Sequence, residues 1–380
     1  MKKIIKIILL LTLTFSIFLG EVFAEEKIKI GLLVPLTGKN SEIGQSIIKS
    51  TRLAINQIDN LSIEIIPKDT ASSPEVTLKS AKELEKLGIR IVIGPVFNEN
   101  LIYLNELSNL TFLSLTNKND NRSSNIINAG INATSQLNAI KKFIELNEIK
   151  KTIFLTSDSN YKNEIIQAIS NSRIKIIENY IYDTDPTKLT KQIEKITNYE
   201  RRKQNLEDEI KRLEESDENN IEKLIERLKK KDTLGNVNFD SLIIADFDES
   251  LKSVTTSLLY TDILPKEKYF ITLNQWFDES LLKETNLQPI YFPSINKENY
   301  EDFSLEYFNK YNQYPNQLSF LSYDLIGLIY FLILQNESII NEKIFEKKVL
   351  FKGKVGIFEI KKNKINHILN FYKVENKKFK

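Results

Sequence analysis

Residues 27–58 read KIKIGLLVPLTGKNSEIGQSIIKSTRLAINQI, and this stretch decides the fold. It begins in alternation, Lys27-Ile28-Lys29-Ile30, and passes into the unbroken apolar run Leu32-Leu33-Val34. A run that stops alternating marks a strand covered on both faces. The turn Pro35-Leu36-Thr37-Gly38 follows. Ile47, Ile48, Ala54, Ile55 and Ile58 then recur at helical spacing, which predicts an amphipathic helix. Strand, tight turn and helix together make the opening of a βαβ series.

The pattern repeats downstream. A second strand, Ser62–Pro67, leads to a helix whose ends are written in the sequence: Ser73 as N-cap, Pro74 at the first helical position and Gly88 just past the end. Strand Ile89–Ile93, a short helix near Glu99–Leu107 and strand Thr111–Leu115 continue the alternation. After Asn128-Ala129-Gly130 a second series starts: helix Gln136–Leu146, strand Lys151–Thr156, helix Asn163–Ser170, strand Lys175–Tyr182 and helix Pro186–Ile196. Strand Phe239–Ala245, helix Ser250–Leu259 and strand Tyr269–Leu273 complete it, and Val355–Ile360 with Ile365–Val374 reads as a β-hairpin. Successive units of this kind predict an α/β protein with parallel sheets and helices on both faces. The length exceeds one ordinary core and predicts two lobes.

One segment breaks the alternation. Residues 199–232 read YERRKQNLEDEIKRLEESDENNIEKLIERLKKKD. Leu206, Ile210 and Leu213 form one stripe, Ile221, Leu224, Ile225 and Leu228 a second, with the polar breaker Ser216–Asn220 between them. That pattern predicts an αα-hairpin with a narrow apolar seam. Charge-laced helices usually face water, which makes this a solvated insertion; the sharper reading is a docking arm for a partner.

The N-terminus bears on compartment. Lys2, Lys3 and Lys6 precede the apolar run Ile7–Leu19, and Val22-Phe23-Ala24 supplies small residues at −3 and −1 of a cleavage site. Residues 1–24 are therefore expected to be a cleaved secretory signal peptide, leaving a periplasmic protein without stable membrane insertion. The chain has no cysteine, which excludes disulfides, thiolate metal sites, cysteine nucleophiles and lipid attachment through a processed cysteine. The one histidine, His367, lies in an alternating segment and reads as a strand residue. A formal net charge of +2 gives no electrostatic footprint for nucleic acid.

Catalytic constellations are weak. Ser46-Ile47-Ile48-Lys49 matches S-x-x-K and Ser157-Asp158-Ser159-Asn160 echoes the companion motif of serine acyl-transferases, but K-T-G is missing. Thr37-Gly38-Lys39 lacks the remainder of a phosphate loop, no G-x-G-x-x-G occurs, and the scattered acids Asp69, Asp158, Asp246 and Asp248 assign no metal cluster. The expectation is a non-enzyme with no metal and no cofactor. Hydroxyl, amide and aromatic residues instead cluster after strands, where open α/β sheets bind ligands. Asn98 follows the third strand; Ser114, Thr116 and Asn117 the fourth; Tyr161 the strand ending at Thr156; Gln275 and Trp276 the strand ending at Leu273. These seven are the candidate ligand-binding residues for a small solute with a carboxylate or amide. Each is equally a turn-forming residue taken alone.

The chain resembles a type I periplasmic binding protein of the leucine-binding kind. The resemblance is carried by IGLLVPLTGKNSEIGQSI (30–47), VIGPVFNENL (92–101), LSLTN (113–117), TSDSNY (156–161) and SYDLIGLIY (322–330). It implies two Rossmann-like lobes joined by three crossovers, with lobe one at 27–130 plus 293–345 and lobe two at 131–292 plus 346–380. It also implies hinge closure on a ligand, delivery to an ABC permease, and ligand contacts at Asn98, Ser114, Thr116, Asn117 and Tyr161. Two places depart from amino-acid binders: Ile43 stands where an aromatic usually precedes Gly44, and Asn274-Gln275-Trp276 replace the acid that pairs with a ligand ammonium. A second resemblance, to penicillin-binding-protein activators and their alphaproteobacterial relatives, rests on three features. They are the PLTG–IG start, the charged hairpin ending in Gly235–Asp240, and the Trp-containing turn Leu273–Asp278. It implies a peptidoglycan synthase or a wall fragment as partner, and the hairpin tilts the choice that way.

Overall fold

The computed structural model describes residues 27–58, 63–118, 123–216, 221–273, 276–336 and 342–380. The signal-peptide segment and Gln275 lie outside the described residues. Strands β1 (Ile28–Val34), β2 (Ile63–Asp69), β3 (Ile91–Ile93), β4 (Thr111–Ser114) and β5 (Ile126–Asn128) form one sheet, in the order β2-β1-β3-β4-β5. All its pairings are parallel. β1 lies next to the sheet's centre and has Ile30, Leu32, Leu33 and Val34 fully buried, as its unbroken apolar run requires. Helices α1 (Ser41–Ile55) and α2 (Pro74–Lys86) cover it, with Ile47, Ile48 and Ala54 of α1 buried and Ser73 Oγ accepting from Val76 N–H as the N-cap of α2. Residues 99–107 form two short 3₁₀ turns in place of the expected helix. β5 is a strand that periodicity missed, because three residues carry too little pattern.

The second sheet begins after helix α3 (Ala133–Leu146). It contains β6 (Thr152–Ser157), β7 (Glu178–Tyr182), β8 (Ser241–Ala245), β9 (Tyr269–Thr272) and β10 (Ile290–Ser294), parallel to one another, and β10 pairs antiparallel with a C-terminal strand on its other edge. Its helices are α4 (Lys162–Ser172), α5 (Pro186–Ile196), α6 (Tyr199–Glu214), α7 (Ile221–Leu228), α8 (Asp248–Tyr260) and the single turn α9 (Ser280–Lys283). From β10 the chain crosses back to α10 (Lys297–Tyr311) and α11 (Ser319–Gln335), whose Phe303, Tyr307, Phe320 and Ile329 pack into the core beneath β1.

The C-terminal segment divides differently from the expected hairpin and lobe boundary. β11 (Val349–Lys352), β12 (Ile357–Lys361) and β13 (Lys364–Ile368) form their own antiparallel sheet, and Phe358, Ile360 and Ile365 join the first lobe's core. Only β14 (Asn370–Glu375) and β15 (Lys378–Phe379) extend the second sheet, giving the order β15-β14-β10-β9-β8-β6-β7. No glycine or proline punctuates residues 365–374, so the switch of sheets at Leu369 carries no turn signal in the sequence.

Two buried titratable groups fasten this segment. Asp324 on α11 accepts backbone N–H bonds from Lys354 (2.7 Å), Val355 (3.2 Å) and Gly356 (2.7 Å), and burial pushes its carboxyl up to about 7. A Cβ at residue 353 would meet the Asp324 carboxylate carbon at 2.4 Å, so only glycine fits there. His367 on β13 is fully enclosed, and burial pulls its imidazole down to about 4. Its Nε2 lies 2.7 Å from the Ala129 carbonyl, and its backbone N–H donates to Ser135 Oγ at 3.0 Å. β13 is thereby tied to the segment that leads from β5 into α3.

The inserted hairpin is present as α6 and α7. Leu206 and Leu213 are buried, whereas no residue of α7 is, and Leu224 is exposed. The breaker residues 217–220 lie outside the described residues. What anchors the arm is a residue that reads as surface charge, Arg202, 6% exposed. Its guanidinium donates to the carbonyls of Thr261 (3.0 Å) and Gly235 (3.3 Å) and to Thr233 Oγ1, which in turn donates to Asp262 at 2.7 Å. Asp262 itself stands 3.8 Å from the guanidinium.

Candidate functional site

A cavity of about 420 Å³ opens beyond the carboxyl ends of β3 and β4. Val96, Leu115, Ile131 and Leu321 form its buried floor. Asn98, Thr116 and Asn117 stand around it, with Ile43 of α1 and the α10–α11 loop (Asn316–Leu318) as further walls. Glycine makes the wall thin at two points. A Cβ at residue 130 would lie 2.4 Å from the Thr116 carbonyl oxygen, and one at residue 44 only 1.8 Å from that of Pro35. The first crossover therefore runs directly against the β4 turn, and α1 sits on the β1 turn.

Trp276 closes the cavity from the other lobe. It follows the end of β9, and both Trp276 (φ 46°) and Phe277 (φ 58°) are left-handed. Two successive bulky residues in that region are strained, at a cost on the order of 1–3 kcal/mol each, and persist only where packing holds both rings. The rings are held on opposite sides. Phe277 sits among Tyr372 (4.9 Å), Phe379 (5.5 Å) and Phe292 (5.8 Å) of the second lobe, while Trp276 lies 6.1 Å from Phe320 of the first.

Of the seven candidate residues, the cavity thus brings together Asn98, Thr116, Asn117 and Trp276. Ser114 and Tyr161 are absent from its lining, against expectation, and each has another occupation. Ser114 is fully buried; its Oγ donates to the Pro95 carbonyl at 3.1 Å and accepts from Thr116 N–H at 3.3 Å. Tyr161 donates to Asp246 at 2.6 Å and lies 3.0 Å from Ser157 Oγ.

Asp246 organises the second lobe's side of the cleft and was only one scattered acid in the sequence. It is 2% exposed, at the end of β8, and Tyr182 and Ser157 also donate to it. Burial, then the nearby carboxylate, pushes the Tyr161 and Tyr182 phenols up. A buried acid ringed by hydroxyl donors is a satisfied network. The S-x-x-K pair is structural as well. Ser46 Oγ accepts from Asn316 N–H (2.8 Å) and lies 2.7 Å from Ser319 Oγ, while Lys49 donates to Gln313 (2.7 Å). Both pin α1 to the α10–α11 region.

Two lobes, one on a parallel and one on a mostly parallel sheet, with the chain passing between them and a cavity at the strand ends, define the type I periplasmic-binding-protein fold. The family described as Periplasmic binding protein matches residues 27–198, and the fold is of the leucine-binding type. A solute-binding protein of an ABC transporter from Rhodopseudomonas palustris, in complex with 3,4-dihydroxybenzoic acid, is 16% identical over 92% of this chain and 93% of its own, with a TM-score of 0.55. A putative branched-chain amino acid ABC transporter protein from Rhodospirillum rubrum is 11% identical over 93% and 99%, with a TM-score of 0.69. The LpoA C-domain from Haemophilus influenzae, a regulator of PBP1A, is 14% identical over 92% and 98%, with a TM-score of 0.59. At these identities the likeness is one of fold. No curated protein matches the chain by sequence.

Proposed function

We propose that the protein captures a small solute in the interlobe cleft, in the periplasm, and presents it to an ABC permease. The observation that carries this reading is the cavity of about 420 Å³, walled by strand ends of one lobe and by Trp276 of the other. A ligand lying there touches both lobes, so its binding energy bears on their relative position. Asn98, Thr116 and Asn117 offer amide and hydroxyl partners, and the apolar floor accepts a hydrocarbon or ring. The chain's single tryptophan is Trp276, which makes its own fluorescence the assay. Amino acids, amides and aromatic acids are titrated in turn; one of them is expected to saturate the signal at micromolar concentration. A flat response across all three classes defeats the reading.

A second reading is favoured by the hairpin. α7 buries none of its residues, yet the arm is anchored through Arg202, an arrangement suited to holding a partner away from the cleft. In that reading the protein contacts a peptidoglycan synthase, as a regulator of wall synthesis. Deleting residues 204–231 is expected to abolish co-purification with such a synthase while solute binding persists; undiminished co-purification removes the idea.

A further inference from the structure

β7 ends the second sheet: it pairs with β6 on one side and, among the described residues, with no strand on the other. An open edge presents a row of backbone N–H and C=O groups that another strand can take up, and folds ordinarily blunt it with Pro, Lys or brevity. The other outer strands of the two large sheets are blunted in these ways. β2 carries Pro67 and Lys68, and β5 and β15 have three and two residues. β7 runs for five residues, Glu178–Tyr182, with neither Pro nor Lys. Ile181 is 43% exposed on it, and Ile177, just ahead of it, 49%. A groove of about 360 Å³, lined by Glu178, Tyr180 and Ile181 with Gln192, Lys195 and Ile196 of α5, lies beside this edge.

The sequence of this edge is complementary to itself. Alternate positions read Lys175, Ile177, Asn179, Ile181, Asp183. The first four are exposed and Asp183 is half-buried, whereas the intervening Ile174 and Tyr182 are buried and Ile176 and Tyr180 half-buried. Laid against its own reverse about Asn179, the series sets Lys opposite Asp, Ile opposite Ile and Asn opposite Asn, and Glu178 falls opposite Tyr180. Opposite charges and matched apolar residues facing each other are what stabilises an antiparallel pair. Arg173 and Asp185 continue the same sign pattern one step further out, and Lys188 offsets one of the two acids by pairing with Asp183 at 3.0 Å. A parallel pairing in register would instead set like charges together. We propose that β7 pairs antiparallel with β7 of a second copy of this chain, about a two-fold axis at Asn179, joining two seven-stranded sheets into one. Such a contact is isologous and closes after two copies.

Sedimentation of the purified protein is expected to show a reversible monomer–dimer equilibrium, weakened about tenfold or more by Ile181→Lys, a change at an exposed position. Lys175→Asp is expected to weaken it as well, and Lys175→Asp combined with Asp183→Lys to restore it. Within one chain those two positions lie about 26 Å apart along an extended strand, so the rescue reports a contact between copies. The chain has no cysteine, which makes single thiols informative. Asn179→Cys places a thiol on the axis, opposite its own copy, and mild oxidation is expected to cross-link it about tenfold faster than Ile177→Cys, whose thiols lie off the axis. A monomer at every concentration up to about 0.1 mM overturns the proposal, including the case in which the edge takes up an extended segment of a different protein. So does equal cross-linking at the two positions. A dimer that persists in Ile181→Lys and is lost in Leu224→Asp moves the contact to the hairpin and overturns it too. These readouts do not involve the cleft, so they stand or fall apart from solute capture.

Discussion

The two walls of the cleft are built from the same grammar, strand ends carrying hydroxyls, amides and aromatics, yet they arrive at opposite states. On the first lobe, Asn98, Thr116 and Asn117 surround an open cavity. On the second, the hydroxyls of Tyr161, Ser157 and Tyr182 turn inward onto Asp246. A strand-end hydroxyl faces the cavity only where the protein has not already given it a buried partner, whether Asp246 for Tyr161 or the Pro95 carbonyl for Ser114. The second lobe consequently contributes to the cavity through an aromatic projection, Trp276, and its own polar groups stay at home.

Removing the centre of the closed wall is the largest expected effect. Asp246→Ala leaves three hydroxyl donors without their acceptor and is expected to cost about 3–5 kcal/mol of stability. Thr116→Val on the open wall removes only an acceptor for Lys118 N–H and is expected to cost about 1 kcal/mol. Urea unfolding of both variants breaks the contrast between walls if their losses are equal.

Behind the walls, two buried groups give pH a readable sign. Folded Asp324 keeps its proton up to about pH 7 against an ordinary 3.8, so between those values the folded state binds more protons than the unfolded. Stability from this group falls as pH rises through that window, by an amount on the order of 4 kcal/mol. Folded His367 refuses a proton until about pH 4 against an ordinary 6.5, so the unfolded state binds more. Its contribution rises with pH over that range, by an amount on the order of 3 kcal/mol. The two oppose each other, and the unaltered protein is expected to show a shallow profile between about pH 4 and 6.5. His367→Gln is expected to expose a stability that falls with rising pH, and Asp324→Asn one that rises. Unfolding midpoints measured across this range check both slopes, and parallel profiles in the two variants contradict the assignment.

How much of this was legible beforehand follows from what each feature depends on. Long apolar runs and helical stripes report burial directly, so β1, α1 and the alternating series were readable, as was the capped α2. The strand-end rule located the cavity through Asn98, Thr116, Asn117 and Trp276. It could not separate them from Ser114 and Tyr161, because a hydroxyl's direction is set by residues distant in sequence: Pro95 for one, Asp246 for the other. Arg202 escaped for the same reason. Nothing in the sequence around it distinguishes it from Arg201 beside it, and apart from Thr197 its partners come from residues 233–235 and 261–262.

Tyr161→Phe sharpens the contrast at the point where the two walls meet. It deletes one donor to Asp246 and leaves Tyr182 and Ser157 in place, so the expected stability loss is about 1 kcal/mol. If Tyr161 belongs to the closed wall alone, solute binding read by Trp276 fluorescence is unchanged. A tenfold loss of affinity would move it to the ligand's side of the cleft.

The smallest effect belongs to the hairpin, which neither wall touches. Leu224 is exposed on α7, and a surface change there alters stability by less than about 0.5 kcal/mol. Leu224→Asp is therefore expected to leave both unfolding and Trp276 fluorescence as they were. Arg202→Met, in contrast, strips the carbonyls of Thr261 and Gly235 of their donors and leaves Asp262 without its cation. If the arm is an independent appendage, proteolysis of α6–α7 accelerates in the Arg202 variant while the cleft still binds. If the cleft fails together with the arm, the hairpin is part of the second lobe's fold, and a role confined to partner docking is lost.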